Sequence, residues 1–219
     1  MHLPELELQF LYARLAWGIV LATLLVTLWP RRMALSRVAV AVIALGMLAL
    51  QALPGEASPA YWLGLAFQWP SGLLMGLCLA RLYLAANGEP HRAVIPPAFA
   101  MLIAATGLIL YLDAIGLIAL GLYYWGFGPY AAPVLALLLM LASAVAMVRN
   151  TMRPLAFSAL LALLGFTLLR LPTGNIWDAL LDPLLWGCAL IALARSGRQR
   201  WIGKRQAAIA LPEHACGHH

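Results

Sequence analysis

Seven residues of this chain set a charged or polar side chain in or beside long apolar stretches: Arg14, Gln68, Trp69, Asp113, Arg170, Asp178 and Asp182. Inside lipid a charge costs roughly 2.5–3.5 kcal/mol on insertion scales, so such groups are expected to face protein or water and to be paired. Asp178 and Asp182 are four apart, which puts both on one face if a single helix carries them. Arg170 stands just across the turn 172–175, so an ion pair of Arg170 with Asp178 or Asp182 is the expected arrangement. Carboxylates so placed could exchange protons or hold a cation, and Trp62, Trp69, Trp125 and Trp177 could stack on a ligand. Simple anchoring accounts for the same residues, because Trp and Tyr prefer headgroup depth and acidic groups complement the start of a helix.

Gln68-Trp69-Pro70 predicts a kink, since proline removes one backbone hydrogen bond and a glutamine in lipid seeks a partner. Next to it, Gly72, Gly76 and Ala80 recur every four residues and give a smooth stripe on which another helix can approach closely, most simply one of the same chain. His214, Cys216, His218 and His219 are of ligand type but have no recognised metal spacing, so no metal is expected there. Cys78, Cys188 and Cys216 form no CxxC pair. All five histidines lie outside the apolar runs and the only lysine is Lys204, which excludes a bis-histidine haem and a retinal Schiff base within the bundle. Protease, nucleotide-binding and diphosphate motifs are absent, and no cofactor is expected.

The elements that must position these groups are dictated by composition. Of 219 residues 64% are apolar and 10% charged, against about half and a quarter in a soluble domain. Runs of about 17 to 24 apolar residues match a hydrocarbon core of roughly 30 Å, and lipid leaves the helix as the only fitting conformation for them. The predicted fold is an all-α polytopic transmembrane bundle of about seven spans near 11–29, 36–53, 61–84, 94–112, 131–148, 155–171 and 176–194. Residues 1–194 form one bundle, and 195–219 a basic cytoplasmic tail, partly disordered. Arg31, Arg32, Arg37, Arg81, Arg92, Arg149, Arg153 and the basic residues after 194 fall on one side of seven spans. Basic loops stay in the cytoplasm, so the N-terminus is expected outside and the C-terminus inside. Residues 113–130 could form an eighth span. That would put the basic C-terminus outside, so a re-entrant or interfacial segment with Tyr123, Tyr124, Trp125, Phe127 and Tyr130 at headgroup depth is preferred. The net charge of +6 is thus a topology signal and not a nucleic-acid surface.

In its topology the chain resembles the SWEET and PQ-loop sugar transporters, in which one linking helix joins two three-helix repeats. The Pro-Gln dipeptide of that family is missing and the first and last three spans show no evident repeat, so no family is assigned and no residues are carried over. Three functions fit. The leading one is a carrier or binding protein for a small or lipid-like molecule with a polar site facing the outer leaflet, because Gln51, Gln68, Thr106, Ser143, Ser158 and Thr167 place polar groups along the spans. The alternatives are an enzyme acting on a lipid-linked envelope substrate and a non-catalytic subunit docked to a partner membrane protein. Short loops and the lack of N-glycosylation sequons point to a bacterial cytoplasmic membrane.

Overall fold

The computed structural model describes residues 5–30, 35–89 and 93–210, and these are all-α. Arg31, Arg32, Arg92 and the tail residues His214, Cys216, His218 and His219 lie outside the described residues. The chain begins with α1 (Leu6–Leu28) and α2 (Arg37–Gln51), the latter capped by the Ser36 hydroxyl, which accepts from the Ala39 amide at 3.1 Å. A 3-10 turn (Gly55–Ala57) leads into α3 (Pro59–Phe67) and α4 (Gly72–Ala86). Then follow α5 (Pro97–Ala114), the four-residue α6 (Leu122–Trp125), α7 (Ala131–Val148), α8 (Arg153–Leu169), α9 (Ile176–Leu180) and α10 (Pro183–Ala210).

Two of the expected spans are broken. Between α3 and α4 the Gln68 amide still reaches the Gly64 carbonyl at 3.0 Å, but Gln68 itself adopts φ 60°, ψ −134°, a region that side-chain-bearing residues seldom visit. Pro70 has no N–H to continue the ladder. The Ser71 hydroxyl then opens α4 by accepting from the Leu74 amide at 3.1 Å. The second break lies between α9 and α10. Leu181 is extended, Asp182 accepts from the Leu185 amide at 2.8 Å, and Pro183 occupies the first helical position, where its missing N–H costs nothing. Beyond 194 the helix continues to Ala210, so the basic segment expected as a tail starts as an extension of α10.

The stripe on α4 packs within the chain, against α8. A Cβ added to Gly72 would lie 2.9 Å from the Ala162 Cα, and one on Gly76 would lie 2.8 Å from the Ser158 Cα. The partner number falls as the α4 number rises, so the two helices run antiparallel. To one side, α1 packs on α2 and α4; to the other, α8 packs on α7 and α9. The remaining long helix, α5, packs on α10, where the Trp186 indole lies on the Gly107 backbone and donates to the Ala104 carbonyl at 3.0 Å.

Among the described residues three helices, α1, α5 and α7, are long and apolar enough to cross a membrane. The most apolar of them, α7, has a mean hydropathy of 2.4 yet only 11% of that window is buried in the protein. Its Val134, Leu137, Leu138 and Leu141 are exposed. An apolar surface of this extent is covered by lipid and not by water, which makes the chain an integral membrane protein. The shorter apolar helices α2, α4 and α8, of 15, 15 and 17 residues, pack around the α4–α8 seam. Residues 115–130 hold only α6 and turns, not a continuous helix.

Candidate functional site

The two breaks meet. The Ser71 amide, at the start of α4, donates to the Asp182 carboxylate at 2.6 Å, and the other Asp182 oxygen takes the Leu185 amide of α10. One buried carboxylate, 5% exposed, thus serves the N-termini of two helices that are 111 residues apart in sequence. Helix N-termini favour negative charge, so this placement offsets the cost of burying the acid. The carbonyls released by the break are taken up by α1. The Tyr12 hydroxyl donates to the Pro70 carbonyl at 2.7 Å, and the Trp17 indole to the Gln68 carbonyl at 3.2 Å. The Gln68 side chain itself is exposed.

Above this crossing, residues 113–128 form a cap on the segment 173–178. Asp113 gathers the Leu120, Gly121 and Tyr123 amides at 2.8–2.9 Å, which folds the connector back and opens α6. The Tyr123 hydroxyl then donates to Asp178 at 2.9 Å, joined by the Thr173 hydroxyl. Asn175 donates to the Tyr123 carbonyl, the Trp177 indole donates to the Leu122 carbonyl, and the Ile176 amide reaches the Gly126 carbonyl. Burial, and then the Asp178 carboxylate, raise the Tyr123 hydroxyl above the ordinary phenol value, which keeps it a donor. Tyr124, Trp125 and Tyr130 on the cap surface are exposed, as headgroup-facing aromatics would be.

Beside the crossing, a cleft of about 710 Å³ opens between α1, the 3-10 turn and α3. Its charged wall is Glu7 and Arg14 from α1, and Ser58, Tyr61 and Trp69 supply the rest of its polar and aromatic lining. A second, almost wholly apolar cavity of about 460 Å³ lies between α5 and α7, floored by α8, with Trp177 at one end.

The seven residues marked by the sequence therefore divide into groups. Arg14 and Trp69 share the cleft, Gln68 and Asp182 lie at the crossing, and Asp113 and Asp178 hold the cap through Tyr123. Two expectations about them are corrected. Asp178 and Asp182 do not share a helix face, because the helix breaks between them at Leu181. Arg170 pairs with neither: both carboxylates are occupied by amides and hydroxyls, and the Arg170 guanidinium lies 5.2 Å from the Phe166 ring centre. Ser71, Tyr12, Thr173 and Asn175 were not marked as site residues by the sequence, and Tyr123 was marked only as an interfacial aromatic. Ser71 as a cap directly after proline, and Asn175 opening a short helix, are readable signals.

Gln51 is fully buried, and both polar atoms of its side-chain amide are without a hydrogen-bond partner among the described residues. It adjoins Gly18 of α1, and its backbone carbonyl accepts the Ser58 hydroxyl at 2.9 Å. No protein-family model matches this chain, and neither a curated protein nor a solved structure matches it.

Proposed function

We propose that the protein is a carrier or binding protein for a small or lipid-like molecule, with the cleft between α1 and α3 as its outward-facing site. The observation that carries this reading is the crossing of two broken helices at Ser71 and Asp182. Discontinuous helices that meet inside a bundle recur at membrane binding sites, and here the break places Trp69 in the lining of the cleft. The enzyme alternative is less well supported. Asp113, Asp178 and Asp182 are each engaged by donors, and no aspartate lines either cavity. A purely structural subunit needs no cleft of this size.

The same reading takes the chain as seven spans, N-terminus outside and C-terminus in the cytoplasm, in a bacterial cytoplasmic membrane. The α4–α8 register supports the count. Antiparallel neighbours need an even number of crossings between them, which α5 and α7 supply only if 115–130 does not cross. The basic residues then gather on one side, as cytoplasmic loops require.

The test is two-sided labelling in sealed vesicles with a membrane-impermeant maleimide, with the other cysteines replaced by serine. Gly64→Cys, in the cleft, is expected to react from the acidic side. Native Cys78, buried and seven residues past Ser71, is expected to react slowly from the basic side, as a carrier exposes the far side of its break in turn. If Gly64→Cys is unreactive from the acidic side, the cleft is not an outward site. If Cys78 never reacts from the basic side, the protein binds but does not carry.

A further inference from the structure

The apolar cavity between α5 and α7 is separate from the cleft and has a shape of its own. Along α7 its lining runs from Leu135 to Ala146, about 16 Å at 1.5 Å per residue, or half of a hydrocarbon core of roughly 30 Å. That is the depth of one leaflet. Its lining is almost wholly apolar, so a cavity of this depth suits a flexible hydrocarbon chain.

One end of the cavity closes under Trp177, Leu180 and Leu181. The other ends at Phe99, Ala146 and Met152, where α7 runs out into Arg149 and α8 starts with Arg153. Both arginines are exposed, and neither guanidinium has a hydrogen-bond or ion-pair partner among the described residues. Two such cations at the mouth of a leaflet-deep apolar slot complement the phosphate of an acylated glycerol headgroup with net negative charge.

We propose that this slot seats one acyl chain of an anionic phospholipid of the surrounding bilayer, from the leaflet on the basic side, with its phosphate held by Arg149 and Arg153. The slot gives affinity for the chain and the arginines choose the headgroup. At about 5.5-fold for each arginine near a membrane surface, the pair is worth roughly thirtyfold in preference for an anionic over a zwitterionic head.

The experiment is native mass spectrometry of the full-length protein in neutral detergent, titrated with phosphatidylglycerol or phosphatidylcholine of identical chains. Wild type is expected to bind phosphatidylglycerol roughly thirtyfold more tightly. The double variant Arg149→Gln/Arg153→Gln should lose the preference and keep the weaker binding, while Arg149→Lys/Arg153→Lys should retain most of it. Ala142→Trp, which fills the slot from a lipid-exposed position, should weaken both lipids alike. Melting curves in lipid-free detergent show whether each variant is folded. Equal binding of the two lipids by wild type, or an undiminished preference in the folded Arg→Gln variant, overturns the assignment to the arginines. Undiminished binding by folded Ala142→Trp overturns the assignment to the slot.

Discussion

Replacing Gly76 by alanine adds a single methyl group where α4 meets α8, and the structure fixes what that methyl would meet. Its carbon would lie 2.8 Å from both the Ser158 Cα and Cβ, against 3.4–4 Å for ordinary contact. The helices would have to part by at least roughly 0.6 Å. Because one of the obstructing atoms is backbone, no rotamer change relieves it, and the nearest precedent is overpacking at about 1–3 kcal/mol. Alanine gains about 0.5–1 kcal/mol over glycine within a helix, which leaves a net loss of about 0–2.5 kcal/mol. Gly46→Ala and Gly165→Ala are the controls: both lie within helices with nothing within 4 Å of the added carbon, so each is expected to be neutral or stabilised by up to about 1 kcal/mol. Reversible unfolding in mixed micelles, with all three variants measured beside wild type, reads these differences. If Gly76→Ala proves as stable as Gly46→Ala, the α4–α8 seam is not as close as described. The antiparallel register, and the span count that rests on it, would then lose their support.

Asp182→Asn keeps the shape but turns one acceptor into a donor, so either the Ser71 or the Leu185 amide is left facing an N–H. A loss of about 1–3 kcal/mol is expected, with faster hydrogen exchange across 71–75; unchanged exchange there would show that the carboxylate does not hold the crossing. Tyr123→Phe removes the hydroxyl bond to Asp178 and should cost about 0.5–1.5 kcal/mol at neutral pH. Since folding raises the Tyr123 value above its ordinary 10.0, the wild-type advantage is full below pH 10. It declines as pH rises from there through the folded value, and alkaline melting of the two proteins side by side would show the gap closing. A gap that is constant up to and beyond pH 11 would refute that environment for Tyr123.

The sequence was legible where one physical demand dominates. The apolar run 131–148 has no competing signal, and α7 has those bounds. The Gly72/Gly76 spacing announced a close helix contact, which the structure locates on Ser158 and Ala162. Pro70 announced a disturbance, and the helix does stop there. Pro183 carried the same message and was hidden, because Asp182-Pro183 sits inside a run that averages as a span. Read as a cap followed by proline at the first helical position, the pair marks the start of α10. The supposed Arg170 ion pair failed for a related reason. Sequence proximity suggests a charge partner, but a buried carboxylate can be satisfied by backbone amides from anywhere in the fold, and Ser71 is 111 residues away from Asp182. Tyr123 was placed at the interface for its ring, and its contribution comes from an amide and a hydroxyl that bridge Asp113 to Asp178.

The seam between α4 and α8 also governs how such a molecule can deform. Two surfaces that interlock backbone to backbone have no lubricating layer of side chains, so sliding or rolling one past the other means climbing over Ser158 and Ala162. That half of the protein behaves as a chassis. The nine residues of α3 and the five of α9 are joined to it through the residues at their breaks. Of the two, α9 also packs on α4 and α8 with Ile176 and Ala179 fully buried, so α3 alone is hinged on that frame, and its hinge lies where Asp182 takes the Ser71 amide. A swing of α3 is taken up at residues 68–71, ahead of the interlocked helices.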